Sequence, residues 1–169
     1  VLEDRQEGFL QGVLVAPVPR SAIVLGKVLG GAVLALSQAC LFLLIAPFAR
    51  LPIHLSAAGP VIGVLALLAV GLTGLGFLIA WSLDSLQGFH AIMNLFLIPM
   101  WLLSGALFPT SGAPMWLKAV MFVNPLTYGV VALRSSLYLD RPGLEGEMSL
   151  LVSLGVVALF AVLMLWLAT

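Results

Sequence analysis

Val28-Leu-Gly-Gly-Ala-Val-Leu-Ala-Leu-Ser-Gln-Ala-Cys-Leu-Phe-Leu-Leu-Ile-Ala-Pro-Phe-Ala49 is a run of 22 residues without a charged side chain. A helix of that length rises about 33 Å, and the hydrocarbon core of a bilayer is about 30 Å thick. Three further runs of the same kind follow, at 60–83, 89–108 and 148–168. No water is available in lipid to bond exposed amides, so each run must satisfy its own backbone, which a helix does. The strict apolar–polar alternation of a membrane barrel is absent. The reading is an all-α, polytopic membrane protein with four transmembrane helices.

Composition agrees. The chain is 62% apolar and 8% charged, with a mean hydropathy of +1.21. A soluble domain carries about 25% charged residues, so so few charges cannot build a polar shell. The formal net charge is zero, which removes any broad basic surface for nucleic acid. Cys40, the single cysteine, excludes an intrachain disulfide or a multi-thiolate metal site. Val1 opens without a signal-peptide pattern, and Thr169 follows directly on an apolar run. Both ends look cut, and the expectation is a segment of a longer membrane protein.

The polar remainder is concentrated in two places. In the first, Glu3, Asp4 and Glu7 stand where a helix N-terminus favours acids, and apolar residues follow at 9, 10, 13 and 14. Pro17 and Pro19 stop that helix. One arginine against three acids before Pro17 gives little attraction to anionic lipid. The second place is 109–147. It holds two apolar pieces, each too short to cross a bilayer alone, separated by Asn124-Pro125. Asn124 suits an N-cap and Pro125 a first helical position. These residues predict a helix–break–helix that dips into the outer leaflet and returns, with Trp116, Tyr128 and Tyr138 near the interface. The competing arrangement joins both pieces into one kinked span.

Residues that could carry chemistry do not assemble into a catalytic set. Gly26-Lys27 lacks the upstream glycine of a Walker A loop, since position 21 is Ser. His54 and His90 lack metal-ligand spacing. An Asp84–His90 proton relay is weighed against a simple boundary position for Asp84. Ser104 has no Gly-x-Ser-x-Gly elbow, and bonding to its own helix is expected. Gly26 and Gly30, and Gly59 and Gly63, are four apart, and Gly71, Gly74 and Gly76 follow in the second span, a spacing that lets helices approach closely in lipid.

The stretch 4–27 combines an acidic-basic start (Asp4, Arg5, Glu7), Gly8, a short apolar helix, Pro17-Val-Pro-Arg20, and Ile23-Val-Leu-Gly26-Lys27 at the membrane entry. It resembles the cytoplasmic coupling segment of ABC transporter permeases of the type-2 exporter family. A second block resembles the same family: Ser104-Gly-Ala-Leu-Phe-Pro109, Pro114-Met-Trp116-Leu, and Asn124-Pro125-Leu-Thr-Tyr128 leading to Arg134. The resemblance implies six spans, of which the first two would precede Val1. It implies a coupling segment at residues 4–27, read on Asp4, Arg5, Glu7, Gly8, Pro17, Arg20, Gly26 and Lys27. It also implies a re-entrant loop carrying Pro109, Pro114, Trp116, Asn124, Pro125, Tyr128 and Arg134. The expected partners are an ABC ATP-binding subunit holding ATP and Mg, a second permease half and the lipid bilayer of the cell membrane. No cofactor, metal or catalytic residue is expected in this chain. Arginine and lysine counts leave the orientation open, three on one side against four. The resemblance puts the coupling segment in the cytoplasm. The alternatives are an intramembrane enzyme using Asp84, His90 or Arg134, and a membrane anchor or assembly subunit without transport.

Overall fold

Pro19 sets the first boundary of the fold. Its backbone is extended (φ −63°, ψ 140°), and Arg20 opens a helix directly behind it. The computed structural model describes residues 19–49, 55–107, 112–137 and 149–169. Six α-helices occur among them: α1 Arg20–Ile45, α2 Leu55–Trp81, α3 Leu86–Leu102, α4 Met115–Val123, α5 Pro125–Leu137 and α6 Leu150–Ala168. A 3₁₀ turn, Ala46–Ala49, closes α1. The described residues contain no strand. Three helices are long and apolar enough to cross a membrane, and the bent pair α4–α5 has the composition of a fourth. The chain is an all-helical integral membrane protein.

The helix boundaries differ from the apolar runs, and α2 begins at Leu55, five residues before its run. α1 starts at Arg20 rather than Val28, so Arg20, Gly26 and Lys27 belong to the long helix itself. Over its 26 residues it rises about 39 Å, more than the roughly 30 Å of a hydrocarbon core. α3 is shorter than its run, with 17 residues. It starts early because the Ser85 hydroxyl caps it, accepting the Gly88 amide at 3.0 Å. It stops at Leu102 because Gly105 takes a positive φ of 82°, a conformation glycine adopts without steric cost. The Ser104 hydroxyl donates to the Trp101 carbonyl at 2.6 Å, the own-helix bond expected from the sequence. α6 begins at a capped serine, Ser149, whose hydroxyl accepts the Val152 amide at 3.3 Å.

Lipid tails are as apolar as the helices, so association rests on close packing rather than on hiding apolar area. The tightest seam joins α2 and α6. A Cβ on Gly71 would stand 2.7 Å from the Phe160 ring and 3.4 Å from the Ala161 Cα, and one on Gly74 3.0 Å from Met164 Cβ. α1 lies on the same helix, with Gly31 against Thr73 and Val28 against Phe77. Gly71 and Gly74 were among the glycines singled out in the sequence; the two pairs spaced four apart behave otherwise. Nothing stands within 4 Å of a Cβ built on Gly26, Gly30, Gly59 or Gly63, so within the described residues they face open space. Spacing alone does not say which helix faces are covered.

These contacts fix directions. Along α2 the partners in α1 run backwards, from Thr73–Gly31 to Phe77–Val28, so α1 and α2 are antiparallel. The partners in α6 run forwards: Val64 and Leu68 cluster with Val157, Gly71 meets Phe160, and Gly74 meets Met164. α2 and α6 are therefore parallel. Leu165 and Ala168 pack beside Val24, Val28 and Phe77, which puts the end of α6 at the same end of the bundle as the start of α1.

Candidate functional site

Asn124 is the break on which the second polar region turns. Its backbone is extended (φ −80°, ψ 116°), and α4 and α5 meet there at 86°. The residue before a proline disfavours helical geometry, which ends α4, and Pro125 restarts the helix with φ already set. The Asn124 side chain completes the start of α5, its Oδ1 accepting the Leu126 amide at 3.0 Å. Tyr128 braces the angle from the other side. Its hydroxyl donates to the Phe122 carbonyl at 2.8 Å, one of the α4 carbonyls left without an intrahelical partner. The sequence reading put Tyr128 near the interface; its hydroxyl has a backbone partner across the break.

The same helix face reaches the end of α3. Asn124 Nδ2 donates to the Met100 carbonyl at 2.6 Å. Thr127 Oγ1 donates to the Leu103 carbonyl at 3.4 Å. Arg134 Nη2 donates to the Gly105 carbonyl at 2.9 Å and to the Ala106 carbonyl at 3.3 Å. A helix that stops inside a membrane leaves its last carbonyls without donors and carries partial negative charge there. Asn124, Thr127 and Arg134 supply those donors in order along α5, and the guanidinium adds the cation that a helix C-terminus favours. Around this ladder α5 is packed tightly: Thr127 and Ala132 are both fully buried, and a Cβ on Gly129 would stand 2.7 Å from Leu68 Cδ2. α4 is the opposite, with Met115 89% and Trp116 69% exposed.

Sequence reasoning named Asn124, Pro125, Tyr128 and Arg134 and missed Thr127, the middle rung. Its signal was present: Asn124, Thr127 and Arg134 are three and seven apart, one face of a helix. Pro114 is the N-cap residue of α4, with Trp116 in its first turn. Arg20, Gly26 and Lys27 lie along the first turns of α1. Asp4, Arg5, Glu7, Gly8, Pro17, Pro109 and Tyr138 lie outside the described residues. His90 Nδ1 bonds the Leu86 carbonyl of its own helix at 2.8 Å, and Asp84 lies in the turn between α2 and α3, the boundary position weighed against a relay.

The parallel course of α2 and α6 constrains what this region does. α2 ends and α3 begins at the end of the bundle where α1 starts, and α6 begins at the opposite end. The α4–α5 pair, bent by 86°, is tied to the end of α3 by the ladder and to the middle of α2 by the Leu68–Gly129 contact.

Comparison with known proteins bears on most of the chain. A family model described as ABC-2 type transporter matches residues 1–138. The "Probable multidrug ABC transporter permease YbhR" of Escherichia coli (strain K12) is 27% identical over 128 residues, 76% of this chain and 35% of that protein. The "Putative transport permease ycf38" of Cyanophora paradoxa is 32% identical over 135 residues, 78% of this chain and 46% of that protein. The chain thus spans about a third to a half of the length of these curated relatives. No solved structure gives a significant match.

Proposed function

This chain belongs to the ABC-2 type transporter family, and on that premise we propose that it is part of the permease of an exporter driven by ATP hydrolysis on a separate subunit. The observation that carries the mechanism is the continuity of α1. It runs unbroken from Arg20 to Ile45 behind the extended Pro19, and Val24 and Val28 key it into α2 and α6. A displacement delivered to residues 4–19 is therefore passed to a rigid lever that shifts the packed core of the bundle. In this reading ATP and Mg stay on the partner subunit, and a second permease half completes the pathway. The residues that take the push are Asp4, Arg5, Glu7, Gly8, Pro17 and Arg20. Replacing Glu7 and Arg20 with alanine should leave membrane insertion and ATP hydrolysis intact while lowering substrate export about tenfold, the effect of losing about 1.4 kcal/mol of docking. Export from inverted vesicles containing the full permease and its ATPase measures this, and an unchanged export rate in the double variant rejects the coupling role.

The α4–α5 pair is read as a re-entrant hairpin. What supports it is the direction of α6, together with the side chains that tie α5 to the end of α3. The hairpin then places Thr169 on the side of the coupling segment. A reporter fused after Thr169 that is active only in the cytoplasm should be fully active. A silent but correctly inserted fusion would falsify the re-entrant arrangement in favour of a kinked span.

A further inference from the structure

Ser136 in the last turn of α5 and Ser153 in the first turn of α6 are 1% and 0% exposed, and neither hydroxyl has a hydrogen-bond partner among the described residues. A buried polar group without a partner is rare in native proteins, and each one calls for a cause. Serines elsewhere in the apolar helices behave differently. The hydroxyls of Ser37, Ser82 and Ser104 donate to the Leu34, Leu78 and Trp101 carbonyls at 2.7, 3.0 and 2.6 Å, each three or four residues back in its own stretch of chain. The same bond lies open to Ser136 and Ser153, with the Ala132 and Ser149 carbonyls four residues back, and neither hydroxyl makes it.

Packing sets the two serines at one level of the bundle. Gly129 meets Leu68, and Ala132, one turn on, joins Val64, one turn back along α2, so α5 is antiparallel to α2 and therefore to α6. Ala132 and Val157 share that cluster. Ser136 is one turn beyond Ala132 and Ser153 one turn before Val157, each on the face its helix turns to the cluster. The matching stretch of α2 carries Ala57 and Val61, both fully buried, so the surroundings are apolar. A cation is the wrong occupant for such a junction. Asp84 is the one carboxylate among the described residues, and it lies in the α2–α3 turn at the other end of the bundle. Two neutral oxygens do not offset the desolvation of an ion. A water molecule carries no charge, needs two to four polar partners, and is satisfied by hydroxyls that each donate once and accept twice. We propose that Ser136 and Ser153 are a binding site for a single buried water that bridges α5 to α6. The bridge holds α5 on the side opposite its ladder to α3, since Gly129, Ala132 and Ser136 lie on one face of that helix and Asn124, Thr127 and Arg134 on the other. It does not depend on the direction or energy source of transport.

Two measurements on the full-length protein test the site, and neither needs the ATPase. A density map of the unsubstituted protein, at a resolution that shows ordered water, should carry one peak about 2.5–3.0 Å from both serine oxygens. Hydroxyls turned onto the Ala132 and Ser149 carbonyls with no peak between them, or a direct bond from one serine to the other, overturn the proposal. The second measurement is a substitution cycle followed by thermal unfolding in one detergent. With a water joining the two hydroxyls, Ser136→Ala and Ser153→Ala should each lower the melting temperature by about 2 °C, because each takes one anchor from the water and leaves the other hydroxyl short of a partner. The double variant should melt no lower than the worse single, since the group that each single left short is then gone as well. Additive losses would mean that the hydroxyls act separately. Single substitutions that raise the melting temperature would mean that both hydroxyls are unsatisfied in the folded protein. Either result rejects the bridge.

Discussion

Replacing Arg134 with alanine should destabilise the folded protein by about 1.5–3 kcal/mol, the range for a lost hydrogen bond from a charged donor. The effect should concentrate on the end of α3. Arg134 Nη2 bonds the Gly105 and Ala106 carbonyls at the point where the positive φ of Gly105 has turned the backbone out of the helix. In lipid those carbonyls find no water to replace the guanidinium. Interhelical side-chain hydrogen bonds in membranes average only about 0.6 kcal/mol, because the separated helices find other partners. Arg134 should exceed that average. Its donor is charged, its acceptors belong to an interrupted helix end, and its side chain is half-buried against α3. Denaturation in mixed micelles measures the free energy, and thiol labelling of Leu107→Cys measures the freedom of the α3 end. Arg134→Lys should recover part of the loss, since a point charge keeps the dipole interaction but not the planar fork. An Arg134→Ala change below about 0.5 kcal/mol, the usual size for an uninvolved surface site, would remove Arg134 from the ladder.

The ladder also shows where sequence reasoning reaches and where it stops. The break at Asn124-Pro125 was legible because it is local: a capping side chain, a proline that fixes φ, and a disfavoured residue before it act within three positions. The membrane class was legible because a charge-free run has no other solvent. The partners of Asn124 and Arg134 were not, because they are backbone carbonyls 24 and 29 positions away, and every residue carries a carbonyl. The early end of α3 was hidden for a related reason. Residues 103–108 are as apolar as those before them, and the conformation of Gly105 ends the helix, not a change in polarity. Ser136 and Ser153 stand at one junction on two helices, and nothing in the spacing of either residue points to the other. Residues 4–18 carry much of the family resemblance and lie outside the described residues, so the coupling proposal rests on α1 and on membership of the family.

Substitution of Gly71 tests the packing on which the directions of the helices depend. A Cβ there would meet Phe160 Cδ1 at 2.7 Å and Cε1 at 2.8 Å, closer than carbon atoms pack, with the Ala161 Cα behind at 3.4 Å. The ring cannot simply withdraw, because the backbone of α6 lies next to it. Gly71→Ala should cost about 1–3 kcal/mol by overpacking, and Gly71→Leu should cost more, since its branch has to displace α6 itself. Helix propensity favours alanine over glycine by about 1 kcal/mol, so a net loss on Gly71→Ala can come only from the contact. Gly30 supplies the control. It is a glycine in a membrane helix with nothing within 4 Å of its Cβ position, so Gly30→Ala should be neutral or mildly stabilising. Phe160→Ala in the Gly71→Ala background should restore part of the loss, and the coupling between the two changes isolates the seam from any effect on α2 alone. Thermal unfolding of these variants and of Phe160→Ala alone, in one detergent, decides the matter. Equal behaviour of Gly71→Ala and Gly30→Ala would mean that α6 does not lie on this face of α2, and the parallel register that supports the re-entrant reading of α4–α5 would fall with it.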